Sequence, residues 1–210
     1  MELTSNGNYW DSYTLEDARG FLWGESVGPA HPSRLAAQKG LQKLMAATKG
    51  TKSILEVPCA AGAEYEALQA LGDLTCMDRT PVMLNALKKR YPEAKTIQGD
   101  IREIPVKDGA FDWVYARAIF EHLPSMTDVK LAMGECLRVS REGCVFSFFL
   151  PPGDHEEIDW NSQFFNNRYR ISDVLHALSE LGAKVLSVEN VSVEGTPYLD
   201  DGLIIYVKKV

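Results

Sequence analysis

Apolar runs and helical spacings alternate along most of this chain. Residues 32–47 carry Leu35, Leu41, Leu44 and Met45 on one side of a helical wheel, with Gly50 as a stop. Residues 54–57 form an apolar run around Glu56, and residues 64–71 return to helical spacing. A short strand is predicted over 74–77. A helix follows over 81–90, opened by Pro81 at its first position and closed by Lys88-Lys89-Arg90. Strands over 96–98 and 111–116 precede a helix over 127–139 and a strongly apolar strand over 144–150. Ser172-Asp173 caps a helix predicted over 172–181 and Gly182 ends it, after which strands over 185–193 and 203–208 close the pattern.

Strands that alternate with helices in this way form a parallel sheet covered on both faces. The early strands are apolar without period-two alternation, as burial on both sides requires. The last two are joined by a turn-rich stretch, Glu194-Gly195-Thr196-Pro197 and Asp200-Asp201-Gly202, which suits an antiparallel edge pair. The predicted class is therefore α/β: a doubly wound, Rossmann-like, mostly parallel seven-stranded sheet with an antiparallel C-terminal edge hairpin. Residues 1–50 read as an N-terminal helical segment and residues 51–210 as the main domain.

Composition narrows the class of partner. The 210 residues are 45% apolar and carry a formal net charge of -7. An acidic chain without a basic groove is a poor nucleic-acid or anionic-membrane binder. No apolar run is long enough to span a bilayer, and Met1-Glu2-Leu3-Thr4-Ser5 does not begin a signal peptide, so a cytoplasmic protein is expected. Cys59, Cys76, Cys136 and Cys144 form no C-x-x-C pair and read as reduced, mostly buried thiols.

The chemistry lies at the strand ends. In open α/β sheets, ligands bind at the carboxyl ends of the strands, where the strand order reverses. Glu56, Asp78 and Asp100 fall at the ends of three successive predicted strands. An acid beyond the second strand can accept two ribose hydroxyls. One beyond the third can accept an adenine amine, with the Ile101 N–H donating to the ring. Any one of them alone reads as a solvated carboxylate or a helix cap; three in series favour one shared ligand. The small residues Ala60-Ala61-Gly62 let backbone approach that ligand. A dinucleotide requires Gly-x-Gly-x-x-Gly to cradle its pyrophosphate. Val57-Pro58-Cys59-Ala60-Ala61-Gly62 has one glycine and a proline without an N–H, so a ligand with a positive centre and no phosphate fits better.

With these pieces in order, the chain resembles the class I S-adenosylmethionine-dependent methyltransferases, especially their small-molecule branch. The carriers are Ile54 to Gly62, Asp78, Gly99-Asp100-Ile101, Phe111 to Ala116, and Phe120-Glu121-His122-Leu123-Pro124. The resemblance implies that S-adenosyl-L-methionine is the cofactor. Glu56 and the turn 60–62 would hold its methionine part, Asp78 its ribose, and Asp100 with Ile101 its adenine. Pro58, Arg79 and Arg117 complete the implied cofactor-binding set. The chain departs from the family at Ala60, where the family has the earlier glycine of Gly-x-Gly. The resemblance also implies that the N-terminal segment folds over the cofactor as a lid.

Methyl transfer from a sulfonium is an in-line displacement, for which positioning and exclusion of water supply much of the rate. A base is needed only for a protonated acceptor. His155, in the acidic loop Pro151 to Glu157, and His122, after the fourth strand, are the two candidates. His155 reads equally as part of an exposed acidic loop, and His122 as a structural residue. The stretch 159–170, DWNSQFFNNRYR, offers Trp160, Phe164 and Arg168 to a ring or sugar-like acceptor, with Tyr13 from the N-terminal segment; the same aromatics also suit core packing. Metal binding is not indicated, since His155, Glu156, Glu157 and Asp159 match no ligand spacing. The rival readings are a nucleic-acid methyltransferase, a dinucleotide oxidoreductase, and a non-catalytic S-adenosylmethionine-binding protein. The acidic balance disfavours the first and Pro58 the second, whereas Ala60 keeps the third open.

Overall fold

The computed structural model describes residues 32–149, 167–191 and 202–210. Within them the chain runs α1 (Pro32–Ala46), β1 (Ser53–Glu56), α2 (Tyr65–Gln69), β2 (Asp73–Asp78), α3 (Pro81–Arg90), β3 (Lys95–Gln98) and β4 (Phe111–Ala116). A 3-10 turn (Phe120–His122), α4 (Met126–Val139), β5 (Ser140–Phe148), α5 (Ile171–Glu180), β6 (Ala183–Asn190) and β7 (Leu203–Lys209) follow.

The seven strands form one sheet in the order β3-β2-β1-β4-β5-β7-β6. All neighbours among the first five are parallel. β7 enters antiparallel between β5 and β6, so β6 rather than the final strand forms the edge. The expected antiparallel hairpin is present, and its second strand is the inner one. That placement follows from composition: Leu203, Ile204, Ile205, Tyr206 and Val207 are all buried, whereas β6 alternates half-buried and exposed positions.

Side chains from the central strands leave for opposite faces. Ile54, Trp113, Tyr115 and Tyr206 pack with α1, α2 and α3 on one face. Leu55, Val114, Ala116 and Ile205 pack with α4 and α5 on the other. Helix α4 shows how sequence dictates this packing. Val129, Ala132, Met133, Cys136, Leu137 and Val139 recur at helical spacing and are all buried. Each large apolar side chain so buried contributes about 1.5–3 kcal/mol. Ser125 caps the helix by accepting the Asp128 N–H at 3.2 Å.

The N-terminal helix belongs to the same layered body. Its buried apolar positions are Ala37, Leu41 and Met45, four residues apart, while the predicted Leu35 is exposed. Gly40 lets it approach β7: the Tyr206 ring lies where a Cβ would stand, and the Tyr206 hydroxyl donates to the Ala36 carbonyl at 2.7 Å. Of the segment 1–50, to which the lid expectation applies, residues 1–31 lie outside the described residues. One cap differs from expectation. Helix α5 starts at Ile171 with Arg170 at the cap and no side-chain cap bond, so Asp173 falls in the first turn, where its charge suits the helix dipole. All four cysteines are free and buried, and burial raises the thiols of Cys59, Cys136 and Cys144 above their usual range. No helix among the described residues is long and apolar enough to cross a membrane.

Gly40→Ala places a methyl inside the space of the Tyr206 ring and is expected to lower the unfolding free energy by about 1–3 kcal/mol, despite alanine's better helix propensity. Chemical denaturation of the two proteins side by side checks this.

Candidate cofactor site

The strand order reverses between β1 and β4, which run into the sheet's two halves. The crevice at their carboxyl ends is where this architecture places ligands. The chain leaving β1 stays pinned there: the Val57 N–H donates to Tyr115 O at 2.9 Å, and the Cys59 N–H to Met77 O at 2.8 Å. It then turns through two left-handed residues, Ala60 at φ 43° and Gly62 at φ 87°. Gly62 is required twice over, by its φ and because a Cβ would stand 2.4 Å from the Leu87 side chain. Its small size therefore serves packing against α3. Ala60 adopts a similar backbone with a methyl group, at a cost of about 1–2 kcal/mol.

Asp78 holds this turn. One carboxylate oxygen accepts the Ala60 N–H at 3.0 Å and the other the Thr80 N–H at 2.8 Å. The side chain is 7% exposed. Burial raises its pKa, and the two backbone donors oppose that rise. The Thr80 side chain is a third donor, so of a carboxylate's roughly four acceptor sites one remains for a ligand.

Glu56, 4% exposed, lies deeper, on the face of α1, α2 and α3. The Cys76 thiol donates to it at 3.6 Å. Burial first, then Cys76 and Glu64, hold its pKa well above the usual carboxylate range. Besides burial, the charges of the Asp78 and Glu56 carboxyls hold the Cys59 thiol high. Arg79 is near Asp78 and Asp100 alike, since its charge favours ionisation of each. Its carbonyl accepts from Gln98 Nε2 at 3.3 Å. Asp100 is gripped by Arg102, whose Nε and Nη2 donate at 3.0 and 2.8 Å. Burial raises the Asp100 pKa, but the Arg102 hydrogen bonds outweigh it and hold the group below the ordinary range. Ile101 is buried in the core beneath.

Sequence reasoning missed a second buried cluster beside the turn. Glu64, 6% exposed, accepts from Arg117 Nη1 at 3.0 Å and lies 3.4 Å from Arg34 Nε. Glu64 Oε2 and Arg34 Nε are buried without a hydrogen bond. Glu64 reads in sequence as an ordinary first-turn acid, and Arg34 lies in a different helix, so no local pattern links them. Arg117 thus stands at this cluster, at the end of β4.

Beyond β4, Ala118 takes φ 54°, with its N–H on Ser147 Oγ at 2.9 Å. The 3-10 turn carrying half-buried His122 follows. Asn167 ties the chain before α5 to this turn: its N–H donates to Glu121 O at 2.8 Å and its Nδ2 to Leu123 O at 2.7 Å. Arg168 is thereby brought to the same end of the sheet as His122. Buried Glu121 and Asn167 were not singled out as site residues from sequence. His155, Trp160, Phe164 and Tyr13 lie outside the described residues.

These features fit a nucleoside with a charged amino-acid tail: acceptors on Asp78 and Asp100, and unbonded buried polar atoms on Arg34 and Glu64. Comparison with known proteins points the same way. Residues 55–148 match the family model "Methyltransferase domain". A demethylmenaquinone methyltransferase of Staphylococcus aureus (strain JH9) is 32% identical over 113 residues, which cover 50% of this chain and 45% of that protein. The chain thus matches less than half the length of that relative. Among solved structures, magnesium protoporphyrin IX methyltransferase from Synechocystis PCC 6803 with bound SAM superposes with a TM-score of 0.70 at 13% identity, all of both chains being covered. CalS10, an amino pentose methyltransferase from Micromonospora echinaspora, does so with a TM-score of 0.68 at 14% identity, over 94% of this chain and 98% of that one. At such identities the structures show a shared fold. Residues 55–148 thus match a methyltransferase domain, and the fold is the one these methyltransferase structures share.

Two outcomes are expected. Glu56 is neutral in both folded and unfolded chains at low pH. As pH rises past the ordinary glutamate range, the unfolded chain ionises first, and wild type loses stability. Glu56→Gln lacks that loss, so its advantage over wild type should grow from pH 4.5 to pH 8 in thermal unfolding. Ala60→Gly relieves the left-handed strain and should raise the unfolding free energy by about 1 kcal/mol in denaturant titrations.

Proposed function

We propose that the chain transfers a methyl group from S-adenosylmethionine to a small-molecule acceptor at oxygen or nitrogen. The observation that carries this is the Asp78 clasp: one buried carboxylate fixes the turn after β1 through the Ala60 N–H and keeps an acceptor site free at the switch point. Asp78, beside Arg79, takes the ribose hydroxyls. Asp100 and the Ile101 N–H take the adenine. The turn 58–62, with Glu56 beneath it, borders the methionine part. Arg34, Glu64 and Arg117 supply both signs of charge for a zwitterionic tail.

When bound, the cofactor supplies an electrophilic methyl on a sulfonium. The chain's own residues align the acceptor and exclude water, which accounts for much of the rate in such a displacement. His122 and Arg168 stand on the acceptor side, beyond β4. In this reading His155 is a base for a protonated acceptor, while Trp160, Phe164 and Tyr13 contact the acceptor's ring. Residues 1–50 act partly as a cover and 51–210 as the catalytic domain. The small-molecule branch is favoured by the acidic net charge of -7 and by the amino pentose acceptor named for the structurally similar CalS10.

Calorimetry with S-adenosylhomocysteine should give saturable binding, and NAD none. Asp78→Asn removes charge and one acceptor, so affinity should fall by about 1.5–3 kcal/mol, roughly ten- to a hundredfold. Binding of NAD alone, or an unchanged affinity in the variant, would count against the reading.

A further inference from the structure

We infer that Arg102 is a positioning residue for base recognition: by bridging Asp100 to Asp128 it fixes one carboxylate acceptor toward the 6-amino group of adenine, and so sets the preference for adenine over hypoxanthine. This rests on the reading above that Asp100 meets the base.

The geometry is a chain of three side chains. Arg102 Nε donates to Asp100 Oδ1 at 3.0 Å and Nη2 to Asp100 Oδ2 at 2.8 Å, a two-pronged grip. The Arg102 backbone N–H adds a second bond to Oδ1 at 2.9 Å. On its far side Arg102 Nη1 donates to Asp128 Oδ1 at 3.1 Å. Asp128 is itself fixed: its second oxygen accepts from the Ser125 hydroxyl, and its N–H donates back to Ser125 Oγ at the cap of α4. The anchor is thus a helix with six buried side chains.

Counting lone pairs gives the consequence. A carboxylate offers about four acceptor sites. Asp100 Oδ1 has both occupied and Oδ2 one, so a single site remains, in a direction set by the guanidinium plane. One acceptor in one direction suits one N–H. Adenine presents an amine at position 6, whereas hypoxanthine presents a carbonyl oxygen, which a carboxylate repels. The Arg102 and Asp100 side chains are 27% and 30% exposed. Ion pairs so placed contribute little to folding stability, and their stored value lies in orientation. A Lys at position 102 would keep the charge but lose the planar two-pronged geometry.

The test measures affinities of the full-length protein for S-adenosylhomocysteine and S-inosylhomocysteine, which differ at position 6 of the base. Wild type should prefer the adenine form. In Arg102→Gln the preference should fall about tenfold, the size of one charge-assisted hydrogen bond. In Asp128→Asn it should fall in the same direction, and Asp128→Asn should add nothing when Arg102 is already Gln. A merely structural role would weaken both ligands equally, and that result in either variant overturns the inference, as does an unchanged preference in both. Should Arg102→Gln fail to fold, Asp128→Asn alone decides by the same ratio. Asp100→Asn separates the levels: if it leaves the ratio unchanged, Asp100 does not meet the base. A wild-type protein that binds neither ligand overturns the methyltransferase reading itself.

Discussion

The clasp of Asp78 on the backbone of Ala60 and Thr80 is the constraint on which the site depends. It joins the turn after β1 to the end of β2, so the two βα units that border the crevice are fixed to one another. Without it, the left-handed backbone at Ala60 would have little to hold it, because a methyl-bearing residue does not rest there unaided. The carboxylate is itself buried at some electrostatic expense, which its hydrogen-bond donors only partly offset. One side chain thereby sets the shape of the turn and presents charge to the ligand space.

Around that clasp the acids differ in state. Glu56 is buried against a thiol and a second carboxylate and is pushed toward neutrality. Asp100 is held charged by Arg102. Residues that look equivalent at three strand ends thus do different work, and environment decides which. The Glu64 cluster, with Arg34 and Arg117, extends the polar floor to the N-terminal helix, tying that helix to the site as well as to β7.

Much of the fold was legible in the chain, for a specific reason. Strands buried on both faces must be apolar throughout, and helices that cover them must be apolar on one side. Helix α3 with its Pro81 start and basic end, and strand β4, match their predicted limits. The cap of α5 and the start of β5 were less legible, because a helix that packs well tolerates a poor cap, and β5 begins with polar residues at its edge. The exposed Leu35 shows the same limit: helical spacing names a stripe but not its rim.

The sequence by itself determined the α/β class, the order of the elements and the acids at the strand ends, because periodicity and turn chemistry act over a few neighbouring residues. It could not determine that β7 would insert between β5 and β6, that Gly62 answers to Leu87, or that Arg34 would meet Glu64 thirty residues away. Nor could it assign Arg102 to Asp128 as well as to Asp100. Only the tertiary structure decided these, since each depends on distances between segments that are remote along the chain, and on which of their polar atoms burial leaves without water.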